Sequence, residues 1–142
     1  MNYQNFSHGS EVSHLVQKSL KGEALMDQQQ QIDLANAFIA QLEAKEKHYS
    51  MADTVENASL ENAYLVQDSF IDIMLQRGEQ IVGWKVALTS KAMQEFCGVD
   101  HPLSGAIFRS RVHESPSQVS LSAHRHLGIE CEIAVRVRSE ER

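Results

Sequence analysis

Only 2 prolines occur in the 142 residues, and neither precedes Pro102. A long stretch without proline is open to helix, because nothing in it removes a backbone donor or fixes a turn. Glycine is also scarce, at 7 residues, and five of these lie from Gly78 onward. So little of either excludes a collagenous, linker-like or low-complexity chain. The 2 cysteines, Cys97 and Cys131, form no CxxC pair and no zinc pattern, so free thiols are expected rather than a disulfide framework. Basic residues are outnumbered 13 to 19, for a formal charge of −6. That balance argues against a nucleic-acid backbone as the main partner. Apolar runs such as Ala37-Phe38-Ile39-Ala40 fall far short of the roughly 20 residues that span a bilayer. Met1 to His14 is polar and lacks the apolar stretch of a secretory leader, so the expectation is a soluble, cytoplasmic protein. No P-loop, GxGxxG fingerprint or GxSxG elbow occurs.

What is present divides the chain in two. The length allows one domain and little more. Residues 1–77 read as a helical region and residues 78–142 as strands and turns, an α+β pattern. Val12, Leu15, Val16 and Leu20 form one stripe of a short helix over 11–21, with Ser10 as its cap and Gly22 as its stop. Polar residues 23–31 lead into a second helix over about 30–47, whose apolar face is Leu34, Ala35, Phe38 and Leu42. A loop at 48–57 precedes a third helix over about 59–77. Its wide apolar face predicts burial on more than one side. At Gly78 the period changes. Val82, Trp84, Val86 and Leu88 alternate with Gly83, Lys85, Ala87 and Thr89, which predicts a strand. A short helix over 90–97 follows, closed by Gly98. Short strands are expected at about 106–112 and 118–122. The clearest period of two is at 127–138, with Leu127, Ile129, Cys131, Ile133, Val135 and Val137 on one side. That spacing predicts a strand with a core-facing side that includes Cys131.

Several residues could carry chemistry. Glu130 and Glu132 sit two apart on the last predicted strand, so both carboxylates leave the same face, roughly 7 Å apart at the backbone. Like charges that close call for water, basic neighbours or a cation. A hard divalent ion suits them, and so does the plain wet face of an antiparallel strand. Gly128 and Ala134 leave room beside the pair. Lys85 shares its face with Gly83, Ala87 and Thr89, where a long cation among small side chains can line a pocket and meet an anion. A surface lysine lying along a sheet has the same pattern. His124 and His126 make an HxH pair without a third ligand nearby, and Asp100-His101 could exchange a proton if the two side chains meet.

Five blocks in order carry a family resemblance. Glu61-Asn62-Ala63-Tyr64-Leu65-Val66-Gln67 is followed by Val82-Gly83-Trp84-Lys85-Val86-Ala87-Leu88-Thr89-Ser90-Lys91-Ala92-Met93-Gln94. Gly98-Val99-Asp100-His101-Pro102 and Gly105-Ala106-Ile107-Phe108 come next, then Ile129-Glu130-Cys131-Glu132-Ile133-Ala134. Together they resemble the 2-keto-4-pentenoate hydratase family of the fumarylacetoacetate hydrolase superfamily, well over about 60–138 and loosely before that. The resemblance implies that Glu130 and Glu132 are two of three carboxylate ligands to Mg²⁺ or Mn²⁺, and that Lys85 lies at the active site. It also implies substrate contacts from Thr89, Ser90 and Asp100. The implied substrate is a small 2-hydroxy-dienoic acid or its 2-oxo tautomer from aromatic catabolism, hydrated by a homo-oligomeric lyase without nucleic-acid or membrane partners. A sister branch implied by the same likeness decarboxylates a 2-oxo-hexenedioate.

The sequence departs from the family in places. Leu103-Ser104 follows Pro102 where an acidic and an aromatic residue are usual, and Ala87 stands where glycine is common. The third metal carboxylate of the family lies on a later segment. The expectation is therefore a helical region followed by the first strands of a fumarylacetoacetate-hydrolase-like β domain, truncated at Arg142. Whether such a chain is an enzyme stays open at this point. A non-catalytic remnant that acts as an interaction module is the other reading, because the strand at 127–138 would end the chain as an unprotected edge.

Overall fold

A computed structural model describes residues 25–45, 55, 58–124 and 127–137. The helix expected at 11–21 lies outside the described residues, as do most of the 48–57 loop and His126.

Helix α1 is Gln28–Ala44. Asp27 starts it with a capping box: its carboxylate accepts from the Gln30 N–H at 2.9 Å, and the Gln30 side chain accepts from the Asp27 N–H. This cap starts the helix two residues earlier than its apolar stripe alone predicts. Helix α2 is Leu60–Gln76, with Ser59 accepting from the Asn62 N–H. Gly78, at φ +94°, supplies the left-handed residue that closes it, and the Glu79 N–H reaches back to the Met74 carbonyl at 3.0 Å. The two helices pack side by side. Asn62, 2% exposed, accepts from the Met26 N–H at 2.9 Å and so ties the entry of α1 to α2.

Strand β1 is Ile81–Ala87, helix α3 is Lys91–Cys97, and strand β2 is Leu103–Phe108. β1 and β2 form a two-stranded antiparallel sheet in which Gly83 faces Ile107, Lys85 faces Gly105 and Ala87 faces Leu103. This pairing places β2 three residues earlier than its hydrophobic pattern suggests. Arg109–Arg111 then forms a 3-10 turn in place of the strand's expected end. A sheet of two strands is marginal by itself. Here α2 supports it. Phe70 of α2 packs edge-to-face on Phe38 of α1 at 5.5 Å and on Phe108 of β2 at 5.8 Å. Ala35, Ile39, Ile71 and Phe108 are the buried apolar core among the described residues.

Two expected strands are corrected. At 118–122 there is none, and Leu121–Ala123 makes one 3-10 turn. Residues 127–137 take no regular secondary structure. Their alternation is real, yet a strand also needs a neighbour to receive its backbone hydrogen bonds and a core to cover its apolar side. Neither is present among the described residues. Ile129 is 89% exposed and Ile133 95% exposed, and Cys131, expected in the core, is exposed as well.

Candidate active site on the two-stranded sheet

Lys85 rises from one face of the β1–β2 sheet, where Glu132 meets it. Facing residues of an antiparallel pair project to the same side. Lys85 therefore rises among Gly83, Gly105, Ala87, Leu103 and Ile107. A Cβ added at Gly83 or Gly105 would make only ordinary contacts, 3.7 Å to Ile107 and 3.9 Å to Gln67. Packing does not demand these glycines. What they provide is a low floor beside a long cation. A groove of about 460 Å³ results, lined by Gln67, Lys85, Ala87, Leu103, Gly105, Ile107 and Arg111 among others.

Lys85 donates to an oxygen of Glu132, across 47 residues of chain. Both side chains remain about half exposed. The bond to Glu132, with the negative charges of Glu132 and Glu130, holds the Lys85 ammonium above the usual lysine range. Lys85 is thus a firm cation near neutrality and a poor general base. Three residues singled out in the sequence, Lys85, Glu130 and Glu132, stand together electrostatically.

Of the six candidate residues only Lys85 lines the groove; Glu132 reaches it through its bond to Lys85, and Thr89, Ser90 and Asp100 stand apart. Ser90 is the N-cap of α3, accepting from the Met93 N–H at 3.3 Å. Thr89 lies exposed in the short link before it. Asp100 meets its neighbour instead: its carboxylate contacts His101 Nδ1 at 2.5 Å. That bond and the charge of His101 hold the Asp100 carboxyl below the usual carboxylate range. The link between β1 and α3 is nonetheless tightly specified. Leu88 adopts a left-handed φ of +56°, an unusual conformation for a bulky residue. The side chain of Gln94, 3% exposed, donates to the Leu88 carbonyl at 2.8 Å and braces that turn.

Two lining residues were missed in the sequence. Arg111 places a second cation in the groove. Its only sequence signal is the Arg109-Ser110-Arg111 run after β2, which a surface turn shares. Gln67 stands one helical turn beyond Tyr64, whose hydroxyl accepts from the Ser104 N–H at 3.1 Å. The Tyr64–Gln67 spacing signals a shared helix face, but not which strand that face meets. A neighbouring cleft of about 440 Å³ lies between the helices and β2, with Leu34, Phe38, Val66 and Phe70 in its wall. Among the described residues no titratable group lines it, so those residues offer shape without chemistry.

As for a metal, Glu130 and Glu132 offer the oxygen donors that a hard divalent ion takes, with open positions left for water. The Lys85 ammonium already occupies one of these carboxylates as a cation would. Among the described residues no group of three His, Cys, Asp or Glu side chains is placed to hold an ion. The donor set thus fits a partial, two-carboxylate site.

Among the described residues, no helix is long and apolar enough to cross a membrane. No family model matches the chain. A 2-keto-4-pentenoate hydratase of Burkholderia vietnamiensis is 34% identical over 85 residues, covering 60% of this chain and 32% of that protein. A second, from Paraburkholderia xenovorans, is 27% identical over 108 residues, covering 76% of this chain and 40% of that one. A 2-hydroxypent-2,4-dienoate hydratase of Pseudomonas putida is 33% identical over 64 residues, or 45% of this chain and 29% of that protein. Among solved structures, the 4-oxalocrotonate decarboxylase of Pseudomonas putida G7, complexed with magnesium and adipate, superposes with a TM-score of 0.59. It is 24% identical and covers 62% of this chain and 34% of that one, a likeness of fold. The matched part spans well under half the length of the curated relatives. Over that part, this chain is related to the 2-keto-4-pentenoate hydratase family.

Proposed function

We propose that the groove is the lysine-and-carboxylate portion of a divalent-metal site in a cytoplasmic hydratase of small 2-hydroxy-dienoic or 2-oxo-alkenoic acids. The observation that carries this reading is the meeting of Lys85 with Glu132, beside Glu130, from segments 47 residues apart. Glu130 and Glu132 would hold Mg²⁺ or Mn²⁺. When bound, such an ion supplies Lewis-acid stabilisation of enolate charge on a 2-oxo acid.

The chain's own residues do the rest. Lys85, held by Glu132 in the groove, is placed to orient an anionic substrate and polarise its oxygen. With a metal on the carboxylates, the ammonium would be released from Glu132 toward the substrate. The low floor at Gly83, Ala87 and Gly105 admits a flat, conjugated carbon chain. In this reading the elements described are the opening portion of a fumarylacetoacetate-hydrolase-like fold, with residues 1–77 as its helical region and 78–142 as the start of its catalytic domain.

The test mixes the chain with Mg²⁺ and 2-hydroxypentadienoate and follows loss of the dienol absorbance. Slow turnover that falls at least about tenfold in both Lys85→Met and Glu130→Gln supports the proposal. Turnover untouched by either change contradicts it. Arg111 favours a second reading, decarboxylation of a 2-oxo-hexenedioate, because a second cation in the groove suits a second carboxylate. Release of CO₂ from that diacid, lost in Arg111→Met, would favour it over hydration.

A further inference from the structure

The groove's lining among the described residues carries two cations, Lys85 and Arg111, and no histidine or carboxylate. Protonated lysine and arginine donate hydrogen bonds and accept none. Glu132, which meets Lys85, is assigned to the metal in the proposed function. Adding water to a conjugated 2-oxo acid also needs a group that takes a proton and returns it. One pair of residues that the proposed function leaves unused has that chemistry. The Asp100 carboxylate contacts His101 Nδ1 at 2.5 Å. An ionised carboxylate only accepts, so in the neutral ring Nδ1 carries the proton and Nε2 is left as the base.

The chain places this pair at one end of the groove. β1 leaves the sheet at Ala87 and β2 enters it at Leu103, facing Ala87, and both residues line the groove. Residues 88–102 join the two strands at that end. His101 precedes Leu103 by two residues, a span of at most about 7 Å along the backbone. The connector is also tied into one unit. The Gln94 side chain donates to the Leu88 carbonyl at 2.8 Å. The Lys91 ammonium donates to Gln94 Oε1 at 3.1 Å and to the Asp100 carbonyl at 3.2 Å. The Val99 N–H donates to the Gln94 carbonyl at 2.9 Å. Lys91 and Gln94 thus fix the backbone of Asp100 to the turn that ends β1. Every one of these bonds joins residues within 88–101.

We propose that Asp100 and His101 are the proton-transfer pair of the groove, with His101 Nε2 as the acceptor, Asp100 as its orienting partner and Lys91 as a positioning residue. The proposal rests on the reading of the groove as a site for 2-oxo acids. With the 2-oxo head at Lys85, the far end of a 2-oxo-3-alkenoate extends toward Leu103 and the connector. Nε2 takes a proton from water as the water oxygen bonds to C4. The C3=C4 electron pair forms a double bond between C2 and C3, and the carbonyl pair moves onto the 2-oxygen as an enolate. The imidazolium then returns its proton to C3, and the enolate reverts to the ketone. One water has been added and the pair is restored. Asp100 stabilises the imidazolium in between by its charge.

Nitrogen-15 NMR of the histidine-labelled full chain reads the pair without turnover. The His101 signals, identified by their loss in His101→Ala, should show a protonated Nδ1 and a bare Nε2 in the neutral ring. Asp100→Ala should move the proton to Nε2 in most molecules. A wild-type ring protonated on Nε2, or a tautomer unchanged in Asp100→Ala, overturns the proposal. Hydration of 2-oxopent-3-enoate with Mg²⁺ tests the role. His101→Ala should lower kcat at least about a hundredfold while KM stays within about twofold, and added imidazole should restore part of the rate. Lys91→Met should lose at least about tenfold in kcat, and Lys91→Arg, which keeps the donors, should retain most of it. Far-UV circular dichroism checks that each variant keeps the fold. Turnover lost in Lys85→Met but unchanged in His101→Ala overturns the proton-transfer pair and leaves the reading of the groove standing. Turnover indifferent to both substitutions overturns the two together.

Discussion

Phe70 is the joint of this structure, and replacing it has a calculable effect. Its ring meets Phe38 of α1 and Phe108 of β2 in two edge-to-face contacts, so one side chain joins both helices to the sheet. A fully buried Phe→Ala change costs about 3–5 kcal/mol. Phe70 is half-buried and borders an existing cleft, which brings the transfer and cavity part toward about 2 kcal/mol. Each lost aromatic pair adds about 0.5–1.5 kcal/mol. Phe70→Ala should therefore destabilise by about 3–5 kcal/mol, a large fraction of the roughly 5–15 kcal/mol that holds a typical domain together. Phe70→Leu keeps most of the apolar volume and loses only the ring geometry, so about 1–2 kcal/mol is expected. Urea unfolding followed by far-UV circular dichroism reads both. The chain's one tryptophan, Trp84, is too exposed to report this core. If Phe70→Ala lies within about 0.5 kcal/mol of the wild type, Phe70 does not join helices to sheet and the described packing is wrong.

Gln94→Ala should cost about 1–3 kcal/mol in the same assay, because it removes the donor to the Leu88 carbonyl at a turn already held at positive φ. Arg77→Ala should change stability by less than about 1 kcal/mol, since its pair with Glu43 is exposed on both sides. Partial desolvation by its neighbours, with the charge of Asp72 one turn away, holds the exposed Asp68 carboxyl above the usual carboxylate range. The folded state thus favours the protonated form, so this group's contribution is fully present below about pH 4 and lost as pH rises through the folded value. Asp68→Asn should accordingly raise stability by about 0.3 kcal/mol at pH 7 and leave it unchanged at pH 3, read from urea midpoints at the two pH values.

Periodicity located the elements whose partners are local. The helices α1 and α2, the strand β1 and the short helix α3 all lie within a few residues of their expected limits, because caps and stops such as Asp27, Ser59, Gly78 and Gly98 are written beside them. What alternation cannot supply is a neighbour. β2 takes its limits from pairing with β1, and 127–137 has the strand pattern with nothing among the described residues to pair with. The candidate site divides along the same line. Lys85 and Glu132, both singled out in the sequence, do meet, although not through the strand spacing that suggested it, since 127–137 takes no strand. Arg111 and Gln67 were not, since they reach the groove through the sheet register and the packing of α2. Ser90, expected as a substrate contact, also caps α3 through its hydroxyl.

The central claim is that Lys85, Glu130 and Glu132 form one site. A Mn²⁺ titration followed by water-proton relaxation tests it most directly. One ion per chain is predicted, bound at least about tenfold more weakly in Glu130→Gln and in Glu132→Gln, and more tightly in Lys85→Met, which removes the competing ammonium. No saturable Mn²⁺ binding, or an affinity that none of these substitutions changes, would contradict the account.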